Sequence, residues 1–323
     1  MKHRGARVFA ALTGSVLILS TAILLTDWQW GGENALFWHI LLQLQLPLVL
    51  TAILVGAVLV VSAGSLQVVL QNPLADPGII GITSGASLVA AGLLILQPVQ
   101  SLLPSVYLLP LGCFIGALLS TWLIYRVARR LRGAAMAVIL AGIAISTLAG
   151  AVMAWLYVIA DAQALRNLTF WLMGSLYQAD WLVLLVAGPV MLLSVLYQLT
   201  QARRLNWLYG GETMAASAGV SPPQLIRRTL VASALGVGAA VSVAGSIAFI
   251  GLLVPHFLRQ VVGHDNRVLL PACALCGAAI LLGVATFSEY LHLVTLPVSM
   301  ITATLGGPLL LLALYRGQWK QHA

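Results

Sequence analysis

Three groups of residues have types and spacings that could do chemistry. Cys273 and Cys276 form a C-x-x-C, a pattern that serves thiol exchange or supplies half of a zinc site. On a helix the two fall near one face. The only other cysteine, Cys113, sits in apolar context, and no nearby histidine completes a zinc set, so no metal site is expected. Ser84, in "ITSG", invites comparison with the G-x-S-G nucleophile of intramembrane serine proteases. Position 82 is Ile rather than Gly, and the serine lies near a span end, which argues against an enzyme. His256, in "VPHF", has the type of a haem or metal ligand, and packing near the start of its helix is the competing reading. Asp265 and Arg267, in "GHDNR", are expected to pair with each other or with Arg259. No catalytic residue is assigned.

The elements that carry these residues are set by composition. The chain of 323 residues is 61% hydrophobic and only 7% charged, against about 25% charged for a soluble domain. Apolar runs of roughly twenty residues recur along it, the length that crosses a bilayer as a helix. An all-α membrane protein follows, read as a single membrane-embedded domain over residues 1–323. The formal charge of +8 does not make a nucleic-acid binder, because the basic residues form short clusters between apolar runs and no aromatic-interleaved face. The apolar run after "MKHRGAR" is about nineteen residues, too long for a signal-peptide core, and is read as a retained first span.

Apolar segments run over 8–26, 47–70, 79–97, 107–126, 135–160, 181–199, 270–291 and 297–315, and the stretch 229–262 is too long for one span. Lys and Arg favour cytoplasmic loops, and that rule chooses between counts. Nine spans leave eleven basic residues inside and five outside. Splitting 229–262 into a full span and a short helix gives ten spans, fifteen basic residues inside and Arg166 alone outside. Ten spans with both termini cytoplasmic is therefore the expected topology. Trp28, Trp30, Trp38, Trp171 and Trp181 then gather on the outer side as an interfacial belt. A secondary transporter would need intramembrane charges for ion coupling, whereas all eight carboxylates lie near span ends.

In "LQNPLADPGIIGITSGASLVA", Pro73 and Pro77, with Asn72 and Asp76, stop one helix near Leu70 and hold a stiff turn, placed on the cytoplasmic side. Gly81 and Gly85 let the next helix start close to a neighbour. This stretch resembles the Q-x-x-x-x-N-P-L-A-x-P-x-x-L-G-x-x-x-G-A segment of the permease subunits of bacterial ABC importers for iron–siderophore complexes, haem and cobalamin. "GSIAFIGLLVPHFLRQVVGHDNRVLLPACALCGA", "TLPVSMITATLGGPLLLLAL", "FWLMGSL" and "LYGGETMAASAGV" are similar to further segments of that family, in order along the chain.

The resemblance implies a type II importer permease of about ten helices in the bacterial inner membrane. It also implies a dimer of cytosolic ABC ATPases, a periplasmic binding protein and a second permease subunit, an identical copy being the simpler guess. ATP and Mg would belong to the ATPase. This chain contains no G-x-x-x-x-G-K-[ST], and Lys2 and Lys320 are its only lysines. Siderophore–iron is the first cargo expected, with haem, cobalamin or an oxyanion behind it. By resemblance the segment 207–228 couples to the ATPase through Glu212, Met214, Ala215, Ala218 and Gly219. Helix 139–160 and a short helix near 163–174 line the path, with Ser146, Thr147, Met153, Trp155 and Tyr157 as wall residues and Ala134, Ala135 and Met136 at the inner gate. The family keeps Pro255–His256 whatever the cargo, which speaks for a structural His256.

One departure stands out. Relatives dock their binding protein through outer-face arginines, and here those positions are Gln45, Leu48 and Tyr290, with Thr286 in place of an Asp. Asp27, Glu33, Asp161, Asp180 and Glu289 oppose the lone Arg166 there, so a docking face of unusual, net acidic character is expected.

Overall fold

The computed structural model describes residues 2–26, 35–96, 105–130, 135–178, 180–291 and 296–315. These residues are helical, without a strand: α1 (Lys2–Leu24), α2 (Ala35–Ile40), a π-helical turn (Leu41–Gln45), α3 (Leu46–Val69), α4 (Ile82–Leu96), α5 (Ser105–Arg130), α6 (Ala135–Ile159), α7 (Ala162–Met173), α8 (Trp181–Thr200), α9 (Ala202–Tyr209), α10 (Glu212–Ser217), α11 (Pro222–Ala244), α12 (Ile250–Val262), α13 (Asn266–Tyr290) and α14 (Val298–Tyr315). Among the described residues seven stretches are long and apolar enough to cross a membrane, and α4, α12 and α14 are shorter apolar helices. Together they fall on the ten segments anticipated from the sequence. The stretch 229–262 divides as expected, with a non-helical break over 245–249.

The central helix of the bundle is α3: almost all its residues are buried among the other helices. Lipid supplies no hydrophobic drive between helices, so close backbone approach and hydrogen bonds must hold them. Gly56 of α3 and Gly277 of α13 meet backbone to backbone. A Cβ on either would fall 2.3 or 2.1 Å from the other's carbonyl oxygen. Gly85 of α4 and Gly116 of α5 repeat the arrangement at 2.2 and 2.5 Å.

Polar glue joins the next layer. Gln198 of α8 donates to Ser62 of α3 at 3.1 Å and to Ser194 at 3.2 Å, and the Ser194 hydroxyl donates to the Ala232 carbonyl of α11 at 2.7 Å. The aromatic belt is narrower than expected. Trp38 is exposed and Trp181 donates to the Leu42 carbonyl at 2.7 Å, but Trp171 is buried because it packs inward from α7. Trp28 and Trp30 lie outside the described residues.

Candidate functional site: a presented short helix fastened to the transmembrane bundle

The α9–α10 elbow presents a face that no other described residue covers. Ala215 is fully buried and anchors α10, whereas Glu212, Met214, Ala218 and Gly219 are exposed. The helix closes as its sequence predicts. Gly219 takes a left-handed φ of +76°, its N–H donates to the Ala216 carbonyl, and the Val220 N–H donates to the Ala215 carbonyl, both at 2.9 Å. Nothing lies within 4 Å of where a Gly219 Cβ would stand.

The elbow is tied to the membrane helices behind it. Asn206 of α9 donates from Nδ2 to Asp265 Oδ1 at 2.6 Å, and its Oδ1 accepts from the Asn266 backbone and side chain at 2.7 and 2.8 Å. Asp265 caps α13 by accepting the Arg267 N–H at 3.0 Å and pairs with the Arg267 guanidinium at 2.8 Å. These bonds, the Arg267 side chain first, hold its carboxyl down at about 2. Arg259 takes no part in that pair. It is buried, donates to the Gly64 carbonyl of α3 at 3.3 Å, and lies 5.2 Å over the Tyr209 ring. His256 is buried on α12, its Nε2 3.1 Å from Gln260 Nε2, and Pro255 lies inside the helix. Among the described residues no cluster of His, Cys, Asp and Glu could hold a metal, and Cys273 is buried in α13.

The α3–α4 turn is a joint rather than a connector. Asn72 Oδ1 accepts the Leu74 N–H and Asp76 Oδ2 accepts the Gly78 N–H, both at 2.9 Å. Pro73 is exposed and Pro77 buried. Asp76 lies directly against the start of α12, where a Cβ on Gly251 would fall 2.2 Å from its Oδ1. The Ile80 carbonyl sits where a Gly142 Cβ would be, on α6, and the Ser120 hydroxyl of α5 donates to the Gly81 carbonyl at 2.6 Å. One turn thus touches α5, α6 and α12.

The break before α12 solves a problem of backbone chemistry. Non-helical backbone at membrane depth must find partners within the protein. The Ser299 hydroxyl of α14 donates to the Ser246 carbonyl at 2.8 Å, and Thr302 donates to the Ala248 carbonyl at 3.0 Å. Phe249, which begins α12, holds a φ of +71°, an unusual state for a bulky residue.

The expected wall residues divide over α6. Thr147 and Trp155 stand on a broad exposed apolar face with Leu148 and Val158, Trp155 being 76% exposed, and Tyr157 is partly exposed. Ser146 is turned toward α4, where its Oγ accepts from Ser84 at 2.9 Å, and Met153 is half-buried. Met136 is exposed, Ala135 half-buried, and Ala134 lies outside the described residues. On the expected docking face, Arg166 is exposed on α7 and bonds Gln163, Tyr290 is exposed and Glu289 half-buried. Gln45 and Leu48 are corrections: both are buried. The wide π turn brings Gln45 against the end of α1, where its Nε2 donates to Thr26 at 3.2 Å.

A family model for the FecCD transport family matches residues 4–316. The chain belongs to that family. It is 44% identical over 294 residues to the hemin transport system permease protein HmuU of Yersinia pestis, covering 90% of this chain and 87% of that one. It is 39% identical over 288 residues to the vitamin B12 import system permease protein BtuC of Vibrio cholerae, covering 88% and 84%. A solved transporter described as of the metal-chelate ABC type, in an inward-facing conformation, superposes with a TM-score of 0.86 at 29% identity, over 96% of this chain and 99% of that one. This FecCD chain is therefore a multi-pass ABC importer permease.

Several residues that hold the FecCD site together carry no signal read from the sequence. Asn206 lies just before the segment 207–228 and Tyr209 within its "LYGGETMAASAGV" match, but neither is assigned a role by the motif, and only the fold brings them to Asp265 and Arg259. Ser299 and Thr302 fall within "LPVSMITATLGGP", so the motif marked the segment without marking the role.

Proposed function

We propose that this permease carries a metal-bearing tetrapyrrole, haem first and cobalamin second, from periplasm to cytoplasm across the bacterial inner membrane. The observation that carries the cargo is the 44% identity over 294 residues to the hemin permease, with the vitamin B12 permeases next. That replaces siderophore–iron as first expectation. Ten spans with both ends cytoplasmic are supported by the charge distribution and by ten apolar helices in the expected places. The uncovered face of α10 is offered to a cytosolic ATPase pair, and a periplasmic binding protein delivers cargo. The broad apolar face of α6 is met by a second copy, the two lining the path between them with side chains that bear no charge and so form no deep trap.

The test is reconstitution in proteoliposomes with a cognate ATPase and binding protein. Haemin uptake driven by ATP, with cobalamin slower and a ferric siderophore silent, is the expected result. Siderophore uptake without haemin uptake overturns the cargo. Uptake without any ATPase overturns the mechanism.

A further inference from the structure

The α8–α11 surface carries an apolar groove whose two ends differ in chemistry. At one end it encloses about 620 Å³ between Leu193 and Tyr197 of α8 and Val231 and Leu235 of α11, and it closes on Arg227 and Arg228. A second hollow of about 200 Å³ continues it past Val190 toward Ala239 and Ser242. The groove exists because small residues, Ser194 on α8 and Ala232 and Gly236 on α11, draw the two helices close between bulkier neighbours. Ser194 bonds the Ala232 carbonyl, and a Cβ on Gly236 would fall 2.3 Å from Ser194 Oγ, so the larger side chains on either side stand apart as rims.

From Ser242 to Arg227 α11 rises about 22 Å, more than the ~15 Å of hydrocarbon in one leaflet. An acyl chain fits that length and that chemistry. Both arginines are exposed, no carboxylate lines the groove, and among the described residues neither arginine has an acidic partner. A basic end on a groove between membrane helices calls for an anionic headgroup. We infer that this groove is a specific site for an anionic phospholipid, its phosphate on Arg227 and Arg228 and a chain along α8 and α11. On the proposed topology this end of the groove lies in the cytoplasmic leaflet. The site lies on the same helix that leads from α10 into the bundle, so lipid and coupling segment share one element.

Native mass spectrometry of the full chain in mild detergent tests this without transport or partners. Phosphatidylglycerol and phosphatidylcholine with identical acyl chains are added at equal concentration. Phosphatidylglycerol should be retained about tenfold or more over phosphatidylcholine. R227Q/R228Q should erase the preference, R227K/R228K should largely keep it, and L235W should lower retention with both arginines intact. Unchanged thermal unfolding certifies each variant as folded. Equal retention of the two lipids means an annular layer only and overturns the proposal, as does a preference that survives R227Q/R228Q. Displacement of the lipid by millimolar glycerol phosphate would show headgroup binding alone and overturn the acyl part.

Discussion

Asn206 and Asp265 lie fifty-nine residues apart and meet at 2.6 Å, the shortest of three bonds by which Asn206 fastens the α9–α10 elbow to the start of α13. Motion of α10 against an ATPase can reach the transmembrane helices directly through this contact and through Tyr209 on Arg259.

N206A and D265A should each cost stability, about 1 kcal/mol for the shared bond once solvent screening is allowed for. The double variant should fall short of the sum by that amount. Thermal unfolding in detergent measures the cycle. In proteoliposomes that also hold the ATPase and binding protein, both variants should support ATP hydrolysis with less transport per turnover, which distinguishes a transmission element from a merely structural tie.

A218R places a large cation on the uncovered face of α10 without disturbing Ala215. Coupled ATP hydrolysis should drop at least tenfold while the chain unfolds at its usual temperature. G219A separates the backbone from the surface: it has room, but φ of +76° makes any side chain cost about 1 kcal/mol. Full coupling in A218R would refute the role given to this face.

G277A drives a methyl into the Gly56 carbonyl and should cost about 1–3 kcal/mol. G92A on α4 meets nothing within 4 Å and should be neutral or slightly stabilising. The pair, compared by thermal unfolding, separates close helix approach from helix propensity.

Burial pushes the Asp76 carboxyl up to about 6, against the opposing pull of the Gly78 and Ile79 N–H groups. The folded chain thus holds a proton that the unfolded chain has released above about pH 4. The stability this gives is full below that pH and is lost as pH rises through about 6. D76N should flatten the decline in unfolding temperature between pH 4.5 and 7.5. Asp265, depressed to about 2, changes stability only below about pH 4 and adds no slope in that window.

Single cysteines at Leu148 or Trp155, in a background lacking Cys113, Cys273 and Cys276, should cross-link two copies of the chain in membranes. Cysteine at Val186, on an exposed face of α8 away from α6, should not. Cross-linking at 186 alone would place the second copy elsewhere.

The fold was largely legible because lipid makes composition informative: apolar runs had to be helices, and arginines had to sit at their ends. The division of 229–262 came from charge alone, and the α10 helix and its Gly219 stop were readable from local chemistry. What pairs across the fold was not. Gln45 looked like a surface residue because a π turn leaves no mark in a short apolar run. Ser146 looked like a wall residue because its helix was right, while its rotation about the helix axis depends on Gly81 and Ser84 sixty residues earlier.

Within the break before α12, Ser246 and Ala248 borrow their hydrogen-bond partners from Ser299 and Thr302 of α14. A debt of that kind binds lender and borrower together. Should α14 swing aside during a transport cycle, the Ser246 and Ala248 carbonyls would be stripped of their donors and would have to find water or another protein group in exchange.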